Sequence, residues 1–186
     1  TGNGGAVYIN KTGDSSYNGS LKISSCTISG NKAGVNGGAI YLTADSAVSI
    51  DGKTIISGNE AVRNGGGLYV TDLSIIGTGE TPVVIEKNKA ITGGGIYVNG
   101  NCEIKHCEIA YNFASTSGGG IFSSAPTSIS YSKIRNNYAM TSEEIGGPFN
   151  NKGRGAGFYF QGKGDVIDVG PEFEMSYTDV TGNACM

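Results

Sequence analysis

The sequence lacks much of what catalytic and helical proteins usually draw on. It has no tryptophan, one histidine (His106) and only three arginines, Arg63, Arg135 and Arg154. The four cysteines, Cys26, Cys102, Cys107 and Cys185, form no CxxC pair and no zinc pattern with His106. They read as thiols filling small core positions. Net charge is −3 with 13 Lys+Arg and no basic block, which argues against nucleic acid as a partner. No apolar run approaches the ~20 residues that cross a bilayer, so membrane insertion by this segment is not expected. The start does not resemble a signal peptide, and no stretch carries the period of an amphipathic helix.

Glycine is abundant instead: 32 residues in 186, against an average of about 7 %. It follows no three-residue period, which excludes collagen. A disordered linker is excluded as well, because 38 % of residues are apolar and Ile, Val, Leu and Tyr fall in short runs.

The glycines belong to a repeated phrase. "GNKAGVNGGAIYL" (Gly30 to Leu42) returns as "GNEAVRNGGGLYV" (Gly58 to Val70) and "KNKAITGGGIYV" (Lys87 to Val98). Aligned on asparagine, the series is Asn31, Asn59, Asn88, Asn112, Asn137 and Asn183, at intervals of 24 to 29 residues before a last interval of 46. Ile28, Ile56, Ile85, Ile109, Ile134 and Val180 precede it; Ala33, Ala61, Ala90, Ala114, Ala139 and Cys185 follow it. Gly4, Gly37, Gly65, Gly93, Gly118 and Gly155 each open an apolar run. Second-strand candidates are "AVSI", "LSII" and "CEIKHC"; third-strand candidates are "CTIS" and "VVI".

Three short strands and three turns per repeat describe one coil of a parallel β-helix. Coils stack at about 4.8 Å, so like residues should form columns. The Ile series is then a core column. The Ala series fits a tight turn, Asn suits left-handed backbone and bonds to its counterpart one coil away, and Gly accepts positive φ at a corner. Expected is an all-β, right-handed parallel β-helix (solenoid) of about six coils of three short strands. It should occupy residues 1–186 as a single segment of a longer array, with a loop insertion at 140–154.

The pairs "GGAVY" (Gly4 to Tyr8) and "GGAIY" (Gly37 to Tyr41) resemble the GGA[IVL] motif of chlamydial polymorphic outer-membrane proteins. The series "ISGN", "ISGN", "IEKN", "IAYN", "IRNN" and "VTGN" resembles that family's FxxN motif, with Ile or Val at the Phe position. The resemblance spans nearly the whole chain. It implies a right-handed parallel β-helix of the kind broadly shared with pectate lyases. For function it implies display at the cell surface and adhesion, as autotransporter passengers and related bacterial and archaeal surface proteins do.

Strand alternation should point Ile40 and Leu42 inward and Ala39, Tyr41 and Thr43 outward. Applied to every coil it gives an outer aromatic column of Tyr8, Tyr41, Tyr69, Tyr97, Phe122 and Tyr159. The column is flanked by Asn10, Thr43, Thr71, Asn99, Ser124 and Gln161. Such a column either stacks on itself or meets a glycan or protein. The insertion "MTSEEIGGPFNNKGR" adds Glu143, Glu144, Phe149 and Arg154 as binding candidates.

A lyase or hydrolase would need clustered carboxylates. The acids, Asp45, Asp51, Asp72, Glu103, Glu108, Asp165 and Asp168, take differing offsets, and no adjacent coils share one. His106 reads as a turn residue. No catalytic residue, metal or cofactor is expected. The expected protein is a non-enzymatic, extracellular or cell-surface β-solenoid acting as adhesin, spacer or filament subunit. Its partners would be a host or neighbouring-cell glycan or protein, and head-to-tail self-association is geometrically allowed. The alternative is a polysaccharide-active β-helix enzyme, pectate lyase-like or glycoside hydrolase-like.

Overall fold

The computed structural model describes residues 2–10, 21–140, 154–161 and 173–185. Every strand pairing is parallel, and among the described residues there is no helix. Three sheets run along one axis. The front sheet has ten strands, among them Val7–Asn10, Ile40–Asp51, Leu68–Ile76, Ile96–Val98 and Cys102–Lys105. The second sheet has six, from Thr27–Ser29 to Asp179–Thr181, and the third has six, from Lys32–Ala33 to Ala184–Cys185. The chain is a parallel β-helix. Four coils, between Gly37 and Ala139, are described without a break, and a partly described coil flanks them at each side. Against the expected count of about six, the structure describes four continuous coils and part of one at each side.

Register explains the repeat. Ile28, Ile56, Ile85, Ile109, Ile134 and Val180 lie partner to partner across successive coils. Ile56, Ile85, Ile109 and Ile134 are fully buried, among a core that includes Ile40, Leu68, Ile96 and Ile121. Two glycines in sequence make the corner into the front sheet. Gly65 takes φ +66°, and a Cβ on Gly66 would collide with the carbonyl oxygen of Gly94 one coil away.

The structure moves several residues from their expected places. The first and second strand candidates are halves of one front-sheet strand in the coils Ile40–Asp51 and Leu68–Ile76. The segment expected to be a tight turn, around Ala33, Ala61 and Ala90, is instead the third sheet. Its alanines point inward, and two to four extended residues suffice to close a narrow coil. "CEIKHC" is cut at His106, whose φ of 50° turns the chain from the front sheet (Cys102–Lys105) to the second (Cys107–Ala110). The left-handed residue beside each ladder asparagine is the one before it: Gly30, Gly58, Lys87, Tyr111, Asn136 and Gly182. Ala39 is fully buried rather than outward. The equivalent Gly95 shows why, since a Cβ there would meet the Asn112 amide.

The asparagines form a buried ladder. Asn59 Nδ2 donates to Asn88 Oδ1 (3.0 Å) and to the carbonyl of Ile28 (3.1 Å), and the pattern recurs at Asn88, Asn112 and Asn137. Cys102 and Cys107 are buried as expected, but Cys26 and Cys185 are exposed, on the outermost described coils. All four thiols are free.

Candidate functional site

The outward face of the front sheet carries the longest organised set of side chains outside the core. Because strand periodicity is two, the residues between the buried Leu68 and Val70, and between Ile96 and Val98, must face out. They are Tyr69 and Tyr97. Register places Tyr8, Tyr41, Tyr69, Tyr97, Phe122 and Tyr159 in one column. Ring centroids are 5.3, 5.0, 4.9 and 4.7 Å apart from Tyr8 to Phe122, with interplanar angles of 3 to 16°. The last step, to Tyr159, is 5.4 Å and tilted by 35°.

This geometry settles how the column presents itself. Each inner ring has both faces covered by its neighbours, so ring edges and hydroxyls are what reach solvent. Tyr8 is 53 % exposed, Tyr41, Tyr69, Tyr97 and Tyr159 are half-buried, and Phe122 is buried at 6 %. The expectation of an exposed aromatic column therefore holds for Tyr8, and fails for Phe122, whose ring lies between two others. Burial raises the Tyr69 and Tyr97 phenols above their ordinary range, with neighbouring phenols adding to the effect at Tyr69. They act as neutral hydroxyls. Beside them runs the polar row, in which Thr43 Oγ1 donates to Asn10 Oδ1 at 2.9 Å.

Arg154 joins this site. Its Nη1 donates to the Tyr159 hydroxyl (3.4 Å), and its backbone pairs with the coil below through Thr116 O (3.0 Å). Met140, where the inserted tract starts, bonds to Ala114 O (2.9 Å) on the same strand, Phe113–Ser117. Glu143, Glu144 and Phe149 lie outside the described residues.

On the other half of the front sheet lies a groove of about 490 Å³, lined by Asp72, Asn101, Glu103, Pro126, Ser128 and Glu174 among others. Glu103 has Ser74 and Ser128 as its partners on adjacent coils, and Glu174 follows beyond Ser128. Asp72 Oδ1 is taken by the backbone N–H of Asn101 (2.7 Å). Asp51 is held low in pKa, first by its hydrogen bond from Ser24 and also by Lys22, its ion-pair partner at 3.3 Å. Glu108 is paired with Arg135. Asp165 and Asp168 lie outside the described residues, as does the Asp45 side chain. Among the described residues, no group of three or more His, Cys, Asp or Glu is arranged to hold a metal ion.

One family model matches: that of the Chlamydia polymorphic membrane protein repeat, over residues 25–43. The match takes in "ISGN" and "GGAI", the two motifs that stack in register here. The chain is a β-helix repeat protein that resembles the polymorphic membrane proteins. No curated protein and no solved structure matches it significantly.

Sequence reasoning missed one arrangement in this β-helix. At the corner from the front to the second sheet, His106, Tyr131 and Tyr177 form another stack, with centroids 5.1 and 4.8 Å apart. The available signal was positional: each stands three residues before the Ile or Val of the IxxN phrase.

Proposed function

We propose that this β-helix is a surface-exposed or secreted, non-enzymatic scaffold that works as an adhesin, holding a glycan or protein on the outer face of its front sheet. The same rigid stack would serve as a spacer or filament subunit. The observation that carries the reading is the column of phenol hydroxyls from Tyr8 to Tyr97, one per coil, beside a row of amides and hydroxyls. Spaced at about 4.8 Å, these groups fit an extended partner that repeats along its own length. The resemblance to a family of membrane proteins supports display at the outer surface.

The column offers an unusually clean test. Phe122 already occupies it, so the fold accepts a ring without a hydroxyl there. A triple variant, Tyr41→Phe, Tyr69→Phe and Tyr97→Phe, keeps the stack and removes three hydroxyls. On glycan and surface-protein arrays the parent chain should retain a ligand, and the variant should bind it at least about tenfold more weakly. Equal binding by the variant would overturn the front face as the site.

A second reading, a polysaccharide-active enzyme, has the groove beside Asp72, Glu103 and Glu174 in its favour. Glu103 and Glu174 are two coils apart, roughly 10 Å along the axis, at the outer limit for an inverting carboxylate pair. Incubation with acidic polysaccharides decides between the two: new reducing ends or unsaturated products mean turnover, while retention without products means binding.

A further inference from the structure

The corner between the front and second sheets carries rings that folding does not require. Its residues take left-handed backbone: Ser25 (φ 51°), Gly52 (62°), His106 (50°), Tyr131 (49°) and Tyr177 (47°). Glycine enters that region freely, whereas a side chain is held there against a steric penalty. Three successive coils nonetheless keep large rings at this point. Tyr131 and Tyr177 are 49 % and 78 % exposed, so the rings contribute little to the core. The next corner of the coil holds Gly30, Gly58 and Gly182, with Lys87, Tyr111 and Asn136 in the other coils, and no run of rings. Its own ring, Tyr111, is occupied by the Arg135 guanidinium, 5.3 Å from the ring centre.

The corner stack also has a recess beside it. The stack stops at Gly77, which has no side chain to continue it. There Thr78, Gly79 and Pro82 on one side, and His106, Glu108, Tyr131 and Lys133 on the other, line an open recess of about 110 Å³. The first wall is a closed turn: Thr81 N–H donates to Thr78 Oγ1 (2.9 Å), and Thr78 N–H to Thr81 O (3.2 Å). Lys105 Nζ lies 5.7 Å from the Tyr131 ring centre. Strained, exposed rings beside a small, firm-walled recess mark a ligand site rather than a packing element.

We propose that the His106–Tyr131–Tyr177 stack and its recess bind a neutral hexose ring of a glycan. Tyr131 has both faces covered, by His106 and Tyr177, so the ring face turned toward the recess is that of His106, and the C–H face of a sugar packs against it. Its hydroxyls find a hydroxyl at Thr78 and an ammonium at Lys133. Glu108 in the same wall is already paired with Arg135, so Lys105 and Lys133 beside the rings disfavour a quaternary ammonium group, the other common guest of exposed aromatics. This site stands apart from the front-face column and does not depend on it.

The test uses immobilised neutral oligosaccharides ending in glucose, galactose, mannose or N-acetylglucosamine. A retained one is then titrated while the single histidine's imidazole resonance is followed by NMR, since the chain has 1 His. Expected are a moving His106 resonance in the parent chain and a loss of affinity of at least about tenfold in His106→Gly and Tyr131→Gly, the two rings that line the recess. Both variants should keep or raise the parent's melting temperature, because glycine is favoured at these φ values. Tyr69→Phe and Tyr97→Phe on the front face should leave this binding unchanged. The proposal is overturned if no neutral saccharide is retained, or if binding survives both glycine variants. It is equally overturned if binding leaves the His106 resonance still, or depends on the front-face hydroxyls. A fall of several degrees in either glycine variant would also sink it, since the rings would then serve the fold.

Discussion

Replacing Asn112 by alanine tests whether the asparagine ladder, rather than propensity along each strand, holds the coils in register. Asn112 is fully buried. Its Nδ2 donates to Ile85 O (2.9 Å) and Asn137 Oδ1 (3.0 Å), and its Oδ1 accepts from the backbone N–H and the Nδ2 of Asn88, both at 3.0 Å. Alanine removes all four bonds. Asn137 Oδ1 still receives the backbone N–H of residue 112, but Ile85 O, Asn88 N–H and one Asn88 Nδ2 hydrogen lose their partners. At about 1–3 kcal/mol for each orphaned buried group, the cost is about 3–9 kcal/mol. That is a large share of a stability of about 5–15 kcal/mol, and at about 2–4 °C per kcal/mol it lowers the melting temperature by at least about 6 °C. Asn31→Ala, at a half-buried rung, serves as the control and should cost about 1 kcal/mol. Equilibrium urea unfolding of the three proteins, with equal m-values as a condition for comparing them, measures the difference. An Asn112→Ala cost below about 1 kcal/mol, or one no larger than that of Asn31→Ala, would refute the reasoning. Asn112→Asp sharpens the test. Its carboxylate would face two acceptors without water, which raises its folded pKa above the usual ~3.9. That variant should be most stable below the unfolded pKa and lose stability as pH rises toward the folded one.

Three further outcomes follow from the geometry. Gly66→Ala drives a Cβ into the backbone of Gly94 and Lys89, whereas Gly30→Ala meets open space at φ +68°. The first should cost more than about 3 kcal/mol or prevent folding, and the second about 1 kcal/mol, measured by thermal unfolding. Iodoacetamide should label Cys26 and Cys185 in the native protein and leave the buried Cys102 and Cys107 unmodified until unfolding, as read by peptide mass. Burial pushes the Cys107 thiol up to about 12, with the Cys102 thiol raised by the same cause. Their contribution is fully present below the unfolded value of about 8.5 and is lost as pH rises through the folded one. The melting temperature should therefore hold steady to about pH 8 and fall above about pH 9.

The columns that were legible in the sequence are those in which register fixes residue type as well as position. Ile56, Ile85 and Ile109 sit over one another in a core of constant width, so the same branched side chain recurs. Gly65 and its counterparts recur because the corner backbone admits nothing else. Strict alternation fails past a strand's end. Ala39 lies next to a glycine corner, and there the coil bends so that the side chain meets the asparagine ladder instead of solvent. The left-handed residue was placed one position late for a related reason: Asn, the residue with the higher left-handed tolerance, is held in the ladder by its amide, and the turn falls on its predecessor, even when that is Lys87 or Tyr111.

The corner stack escaped notice for the opposite reason. At that point the six coils hold Ser25, Gly52, Gly77, His106, Tyr131 and Tyr177, with no shared chemistry to align on. Left-handed backbone is shared there by all but Gly77, while the side chain is released from packing. In a stack of coils, a buried column must repeat to fit, and an outward sheet column repeats whenever its rings cover each other, as from Tyr41 to Phe122. A corner can change residue type from coil to coil without disturbing the core, as outward sheet positions such as Val84, Glu108 and Lys133 also do. Discrimination between partners therefore has more room at the corners than on the front face, whose uniform hydroxyls can recognise repetition but not sequence along a ligand. A front face that binds a repeating partner, and a corner that accepts one ring at one level of the stack, would divide avidity from specificity along the same rigid axis.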